Sequence, residues 1–222
     1  MTGARQHFRE EIDQLRSGLV EMASMVVGQV ERAVDAWERR DEDQAARVVV
    51  DDDLVDARCT ALDREVFEIQ LLEAPVASDL RLLHVGLITV VALERVGDLA
   101  VAIARRVREL PDQGDAPAVR ALIRRMGPRA VNALSEAVQS LARGDLALAD
   151  RASAEARSVQ PMLDQVLLAV SEAPAAGRAD HAWLASAVLV ARHLERVANN
   201  AAEIGGRVRF LVTGQLPAEL PA

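Results

Sequence analysis

Residues Leu93–Ala100 read LERVGDLA, and Leu194–Ala201 read LERVANNA. The octets share their first four residues, and their glutamates, Glu94 and Glu195, stand 101 positions apart. Working outward, RRDEDQAARVVVDDDLVD (39–56) falls over RGDLALADRASAEARSVQ (143–160) at an offset of 104. At that same offset Met22, Val30 and Val34 fall over Met126, Leu134 and Val138. Self-similarity at one long period means a single supersecondary unit used twice, with three residues lost from a loop of the second copy.

Turn-forming residues cut each unit into three. RRDED (39–43) and EAPVASD (73–79) divide the first half, and LPDQGDAP (110–117) separates the halves. ARGD (142–145) and SEAPAAGRAD (171–180) divide the second. Between these breaks the apolar spacing is helical. Phe8, Ile12, Leu15, Leu19, Met22 and Val26 step by three and four, while Val48, Val55, Leu62 and Ile69 step by seven. The segment from Leu80 to Ile103 is apolar over nearly its whole surface and is expected to be the most buried.

The expected fold is therefore all-α: two tandem three-helix bundles, six long antiparallel helices in total. Residues 1–110 form the first bundle, 111–116 a linker, 117–214 the second bundle, and 215–222 a flexible tail. Pro75 is placed to open the third helix, with Ser78 or Asp79 capping its free amides. Pro128 should kink the fourth helix or mark its true start.

Composition excludes several function classes. The 222 residues are half apolar yet only 2% aromatic, with no tyrosine, which suits an aliphatic helical core. Every long cationic side chain is arginine, and the net charge of −8 argues against nucleic-acid binding. The single cysteine, Cys59, has no internal partner for a disulfide and falls in an apolar row. No signal-like or membrane-spanning apolar run is present, so a cytoplasmic protein is expected, touching a membrane only through partners.

The acids are the anomaly. Four residues beyond the second-helix seam runs a companion row of Asp52, Cys59 and Val66. In the third helix the rows Leu80, Leu87, Glu94, Val101 and His84, Val91, Asp98, Arg105 place Glu94 and Asp98 in an apolar stripe. Each helix thus carries a pair one turn apart, Asp52 with Asp56 and Glu94 with Asp98, and like charges at that spacing repel. Two acidic helices side by side could surround a cation with oxygen ligands. Salt bridges from Arg81, Arg95, Arg105 or Arg106 could equally satisfy the acids, so spacing leaves both readings open. In the second unit the four positions become Ala156, Gln160, Glu195 and Asn199. The fold itself does not require the acidic set.

These residues resemble the PhoU-type phosphate-uptake regulators over nearly the whole chain. The similarity runs through FREEIDQLRSGLVEM, RRDEDQAARVVVDDDLVD, PVASDLRLL, LERVGDLAVAIARR and HLERVANNAAEIGGRVRFLVTG. The resemblance implies two related three-helix bundles side by side. It also implies Glu/Asp-x-x-x-Asp motifs that bind multinuclear clusters of iron, zinc or manganese. Carried over by position, Asp52, Asp56, Glu94 and Asp98 match the metal motifs. Ala102 stands where the family often has asparagine. In the second unit Glu195, Asn199 and Glu203 form a degenerate site expected to be weak or empty.

By the same resemblance the protein is a homodimeric negative regulator of the phosphate-starvation response. It would bridge the ATPase subunit of a phosphate ABC transporter and a sensor histidine kinase. An enzyme is the rival class, but no histidine follows a glutamate by three residues and no phosphate loop or nucleophile elbow appears. A metal-free helical adaptor is the other alternative.

Overall fold

The structure, a computed structural model, describes residues 2–73, 75–111, 116–173 and 180–215. The central residues of the linker (112–115) and most of the tail (216–222) lie outside the described residues. The first repeat is α1 (Thr2–Arg39), α2 (Glu42–Glu73) and α3 (Ser78–Arg105), followed by a short 3₁₀ turn. The second is α4 (Pro117–Arg143), α5 (Leu146–Arg157), α6 (Gln160–Glu172) and α7 (His181–Thr213). The expected architecture of two three-helix bundles is present, with one interruption. Pro161 in the first turn of α6 cannot donate to the turn before it, and the fifth helix breaks at Ser158–Val159. Its counterpart in the continuous α2 is Ala57.

Local chemistry sets the remaining breaks. Asp41 Oδ1 accepts from the Gln44 amide at 2.8 Å to start α2. Gly144 ends α4 at φ 64°, where an L side chain would be strained. Asp145 and Asp180 cap α5 and α7 through two backbone amides each. Two expectations fail. Pro75 precedes α3 rather than opening it, and neither Ser78 nor Asp79 caps: Ala77, at φ 52°, takes the cap position without a side-chain bond. Pro128 lies inside α4 and does not begin it.

The repeats pack through α1 against α4 and α3 against α7, leaving α2 and α5–α6 on the outside. Two tryptophans lock this boundary. Trp37 of α1 and Trp183 of α7 are both 1% exposed, with ring centroids 5.5 Å apart. Trp37 Nε1 donates to Ser186 Oγ at 3.1 Å, and the Arg120 guanidinium of α4 sits 5.8 Å above the Trp183 ring. The second-helix seam Val48, Val55, Leu62 and Ile69 is fully buried, as its sevenfold spacing requires. α3 is the most enclosed helix, with fifteen of its twenty-eight residues buried.

Candidate metal centre

The four first-repeat acids line the surface of the α2–α3 groove. Asp52 and Glu94 are half-buried, whereas Asp56 and Asp98 are exposed. Of the two α3 rows read from sequence, the one through Asp98 is a flank, and the one through Glu94 runs from exposed Leu80 to buried Val101. Leu80, His84, Val91, Asp98 and Arg105 are exposed, and the core runs instead through Leu83, Val90, Leu93, Val96 and Ala100. Glu94 and Asp98 therefore do not interrupt the core; they border it where a cation could enter from solvent.

The four acids are near enough to feel one another's charge. Burial raises the Asp52 carboxyl above the ordinary range, against the pull of a Gln29 hydrogen bond, and Asp56, Asp98 and Asp53 push it further up. Burial likewise raises Glu94, reinforced by Asp98, Asp56 and Asp52 and opposed only by Arg95. Among the described residues no salt bridge reaches any of the four. Two of the arginines proposed as neutralisers are turned elsewhere, Arg81 donating to the Leu211 carbonyl and Arg106 pairing with Glu109, while Arg95 acts on Glu94 through its charge without a salt bridge. The neighbouring Asp51 pairs with Arg32 at 3.1 Å at the solvent edge. Cys59 is half-buried beside the group, and its thiol is pushed up by burial, then by Glu94, Asp63 and Asp56.

Two residues of this site escaped the sequence reading. Gln29 of α1 is 1% exposed, and its Nε2 donates to Asp52 Oδ1 at 3.3 Å. The amide is oriented that way because the reverse would set two acceptors together. Gly97 of α3 supplies the space. A Cβ built there would stand 3.0 Å from Asp52 Oδ1, 3.3 Å from Val55 Cγ1 and 3.4 Å from Gln29 Oε1. The repeat carried the signal for both: Gln29, Asp52 and Gly97 fall over Ala133, Ala156 and Ala198, all buried. Where the first repeat has two polar side chains over a glycine, the second has three methyl groups.

The second repeat satisfies its surviving acid internally. Glu195 is 4% exposed, accepting from Arg192 Nη1 at 2.8 Å and from Asn199 Nδ2 at 2.7 Å. Asn199 and Glu203 are exposed, and Glu203 pairs with Arg207 at 3.7 Å. Asparagine here donates where an aspartate would repel, so both oxygens of Glu195 are engaged without a cation. His84 packs edge-on against Phe210 at 6.3 Å. By distance alone, the tightest ligand cluster among the described residues lies elsewhere. His7, Glu11 and Glu73 bring one ligand atom each within 4.8 Å of the others. It sits about 33 Å along α1 from Gln29.

Residues 19–107 and 123–208 each match the PhoU domain, one match per bundle. The chain is 30% identical over 213 residues to the phosphate-specific transport system accessory protein PhoU homolog of Pseudomonas putida, covering 94% of this chain and 82% of that protein. It is 28% identical over 208 residues to the accessory protein PhoU of Escherichia coli K12, covering 94% and 86%. The crystal structure of PhoU from Pseudomonas aeruginosa superposes with a TM-score of 0.85 at 30% identity, over 94% of this chain and all of that one. PhoU from Streptococcus pneumoniae gives a TM-score of 0.87 at 20% identity, over 96% and 100%, a likeness of fold. With both bundles matched, and the repeat that first suggested them matched in register, the chain belongs to the PhoU family.

Proposed function

We propose that this chain is an accessory regulator of phosphate-specific transport whose first repeat carries a metal site and whose second does not. Four neighbouring carboxylates, none of them in a salt bridge among the described residues, carry the metal reading. Asp52, Asp56, Glu94 and Asp98 would hold the cation, and the orphaned Gln29 Oε1 and the gap over Gly97 fit such a charge. Oxygen donors of this kind suit manganese or iron, and zinc as a borderline case. The cation would offset the repulsion and desolvation that raise Asp52 and Glu94.

The regulatory reading rests on the family. A cytoplasmic homodimer would restrain the phosphate-starvation response, linking the transporter's ATPase subunit to a sensor kinase rather than catalysing a reaction. Large apolar side chains left in solvent near the α2–α3 turn, Phe67, Leu71, Leu72 and Val76, support work through protein partners. Among the described residues no helix is long and apolar enough to cross a membrane.

A metal-free adaptor is the second reading. One observation favours it: no three of the four carboxylates bring ligand atoms within 4.8 Å of one another. Elemental analysis of protein purified without chelator separates the two. Bound manganese, iron or zinc in the wild type, lost from the Asp52→Ala/Glu94→Ala variant, is the expected result; metal-free wild type leaves the adaptor. Deleting the gene should raise phosphate-starvation output in phosphate-rich medium, and unchanged output would sink the regulatory role.

A further inference from the structure

Gln29 is an odd residue to bury. It lies in the first-helix face between Val26 and Val30, both fully enclosed, and is itself 1% exposed. Its amide nitrogen is used by Asp52, but its Oε1 is inaccessible to solvent and accepts no hydrogen bond from the described residues. A buried carbonyl without a partner keeps its full desolvation penalty, and a hydrophobic residue of similar volume would avoid it. The second repeat makes that choice, with Ala133 in the same place.

The orphaned oxygen points to the acids. Gln29 Oε1 and Asp52 Oδ1 lie within 3.4 Å and 3.0 Å of one point, the place where a Gly97 side chain would begin. Gly97 lies between Glu94 and Asp98 in sequence, so that point is on the helix that carries two of the four acids. That point is bordered by a carboxylate oxygen, an amide oxygen and Val55 Cγ1, all at or inside the near limit of an ordinary methyl contact, so a methyl group does not fit it without displacing them. The field there favours positive charge.

We propose that Gln29 is a ligand of the first-repeat metal site, its amide oxygen joining Asp52 at a hard divalent cation over Gly97. The inference rests on the metal reading above and extends the donor set to α1, so that all three helices of the first bundle meet at the ion. Carbonyl and carboxylate oxygens together select manganese-like cations over softer ones. It also explains why Gln29, Asp52 and Gly97 are replaced together in the second repeat. Without the ion the amide has nothing to face, and without amide and carboxylate the glycine leaves a void that Ala198 fills.

Titrating Mn²⁺ into chelator-stripped protein, followed by calorimetry and by the free-ion electron paramagnetic resonance signal, tests this. Gln29→Met keeps volume and removes the oxygen. It should weaken Mn²⁺ binding by roughly tenfold to a hundredfold, the range usual for lost supporting contacts at metal sites, while the metal-free variant stays folded by circular dichroism. Gln29→Glu keeps an oxygen and removes the N–H, so it should bind Mn²⁺ at least as tightly as wild type. A Gln29→Glu chain that folds only with Mn²⁺ makes the same point. Wild-type affinity in Gln29→Met overturns the assignment. Equal losses in both variants mean that Gln29 only props Asp52 through its N–H, which also overturns it. Wild type that binds no Mn²⁺, iron or zinc removes the site and Gln29's role together.

Discussion

Two helix pairs of one ancestry meet charge in opposite ways. At the α2–α3 groove, Asp52, Asp56, Glu94 and Asp98 stand without salt bridges among the described residues, and burial with mutual repulsion raises Asp52 and Glu94. In the second repeat, Glu195 is more deeply enclosed, yet Arg192 and Asn199 engage both its oxygens. Burial alone therefore does not mark a functional acid. What separates the two repeats is a deficit that the described residues leave unfilled in the first, a carboxylate or amide oxygen without a protein partner. The first repeat tolerates such a deficit at several neighbouring atoms; the second has closed it with one arginine, one asparagine and three alanines.

The largest test of this contrast removes the satisfied acid. Glu195→Ala loses two hydrogen bonds to a buried carboxylate and should destabilise the protein by about 2–4 kcal/mol, nearer the lower end because Arg192 is largely exposed. Glu94→Ala in metal-free protein should cost far less. Urea unfolding of both variants measures the difference, and equal losses would mean that the two seams are not opposites.

A smaller effect comes from the glycine. Gly97→Ala gains helix propensity of about 1 kcal/mol but forces the Asp52 carboxylate away from the new methyl group. Net stability should change by less than about 1 kcal/mol while cation binding falls. Retained binding would show that the gap over Gly97 is incidental.

The smallest is the pH response. Because the folded Asp52 holds its proton to a higher pH than the unfolded chain, its contribution worsens as pH rises above the ordinary carboxylate value near 4. Metal-free wild type should therefore gain stability relative to Asp52→Asn as pH falls from neutral towards 4. At pH 7 the variant should be the more stable, by under about 1 kcal/mol. Thermal unfolding across that range checks the sign, and saturating cation should erase the slope.

Much of this was legible in the sequence. The offset repeat and the row Val48, Val55, Leu62 and Ile69 specify two helical bundles, because seam packing needs that period and little else does. The acids stood out as charges in apolar rows. The α3 rows misled about depth, since a sevenfold step traces a line along a helix without saying which line is central. α3 touches α1, α2 and α7, so apolar residues occupy several of its faces, and the acids lie on a flank. Gln29 was hidden for another reason. One polar residue in an apolar helix has no pattern of its own, and only its pairing with Ala133 across the repeat exposes it. Gly97 reads as an unremarked residue within the octet until the carboxylate above it is placed.

The break at Ser158–Val159 gives the halves different local opening behaviour. α2 is one rod of thirty-two residues, whereas its counterpart is two helices of twelve and thirteen. Each is close to the length at which a helix cannot persist without its neighbours. α6 also leaves Leu167 and Leu168 in solvent and makes few contacts with the rest of the bundle. Amide hydrogens of α6 should exchange with deuterium well before those of α2, so that the second repeat frays at its outer edge while the acidic repeat keeps a continuous strut.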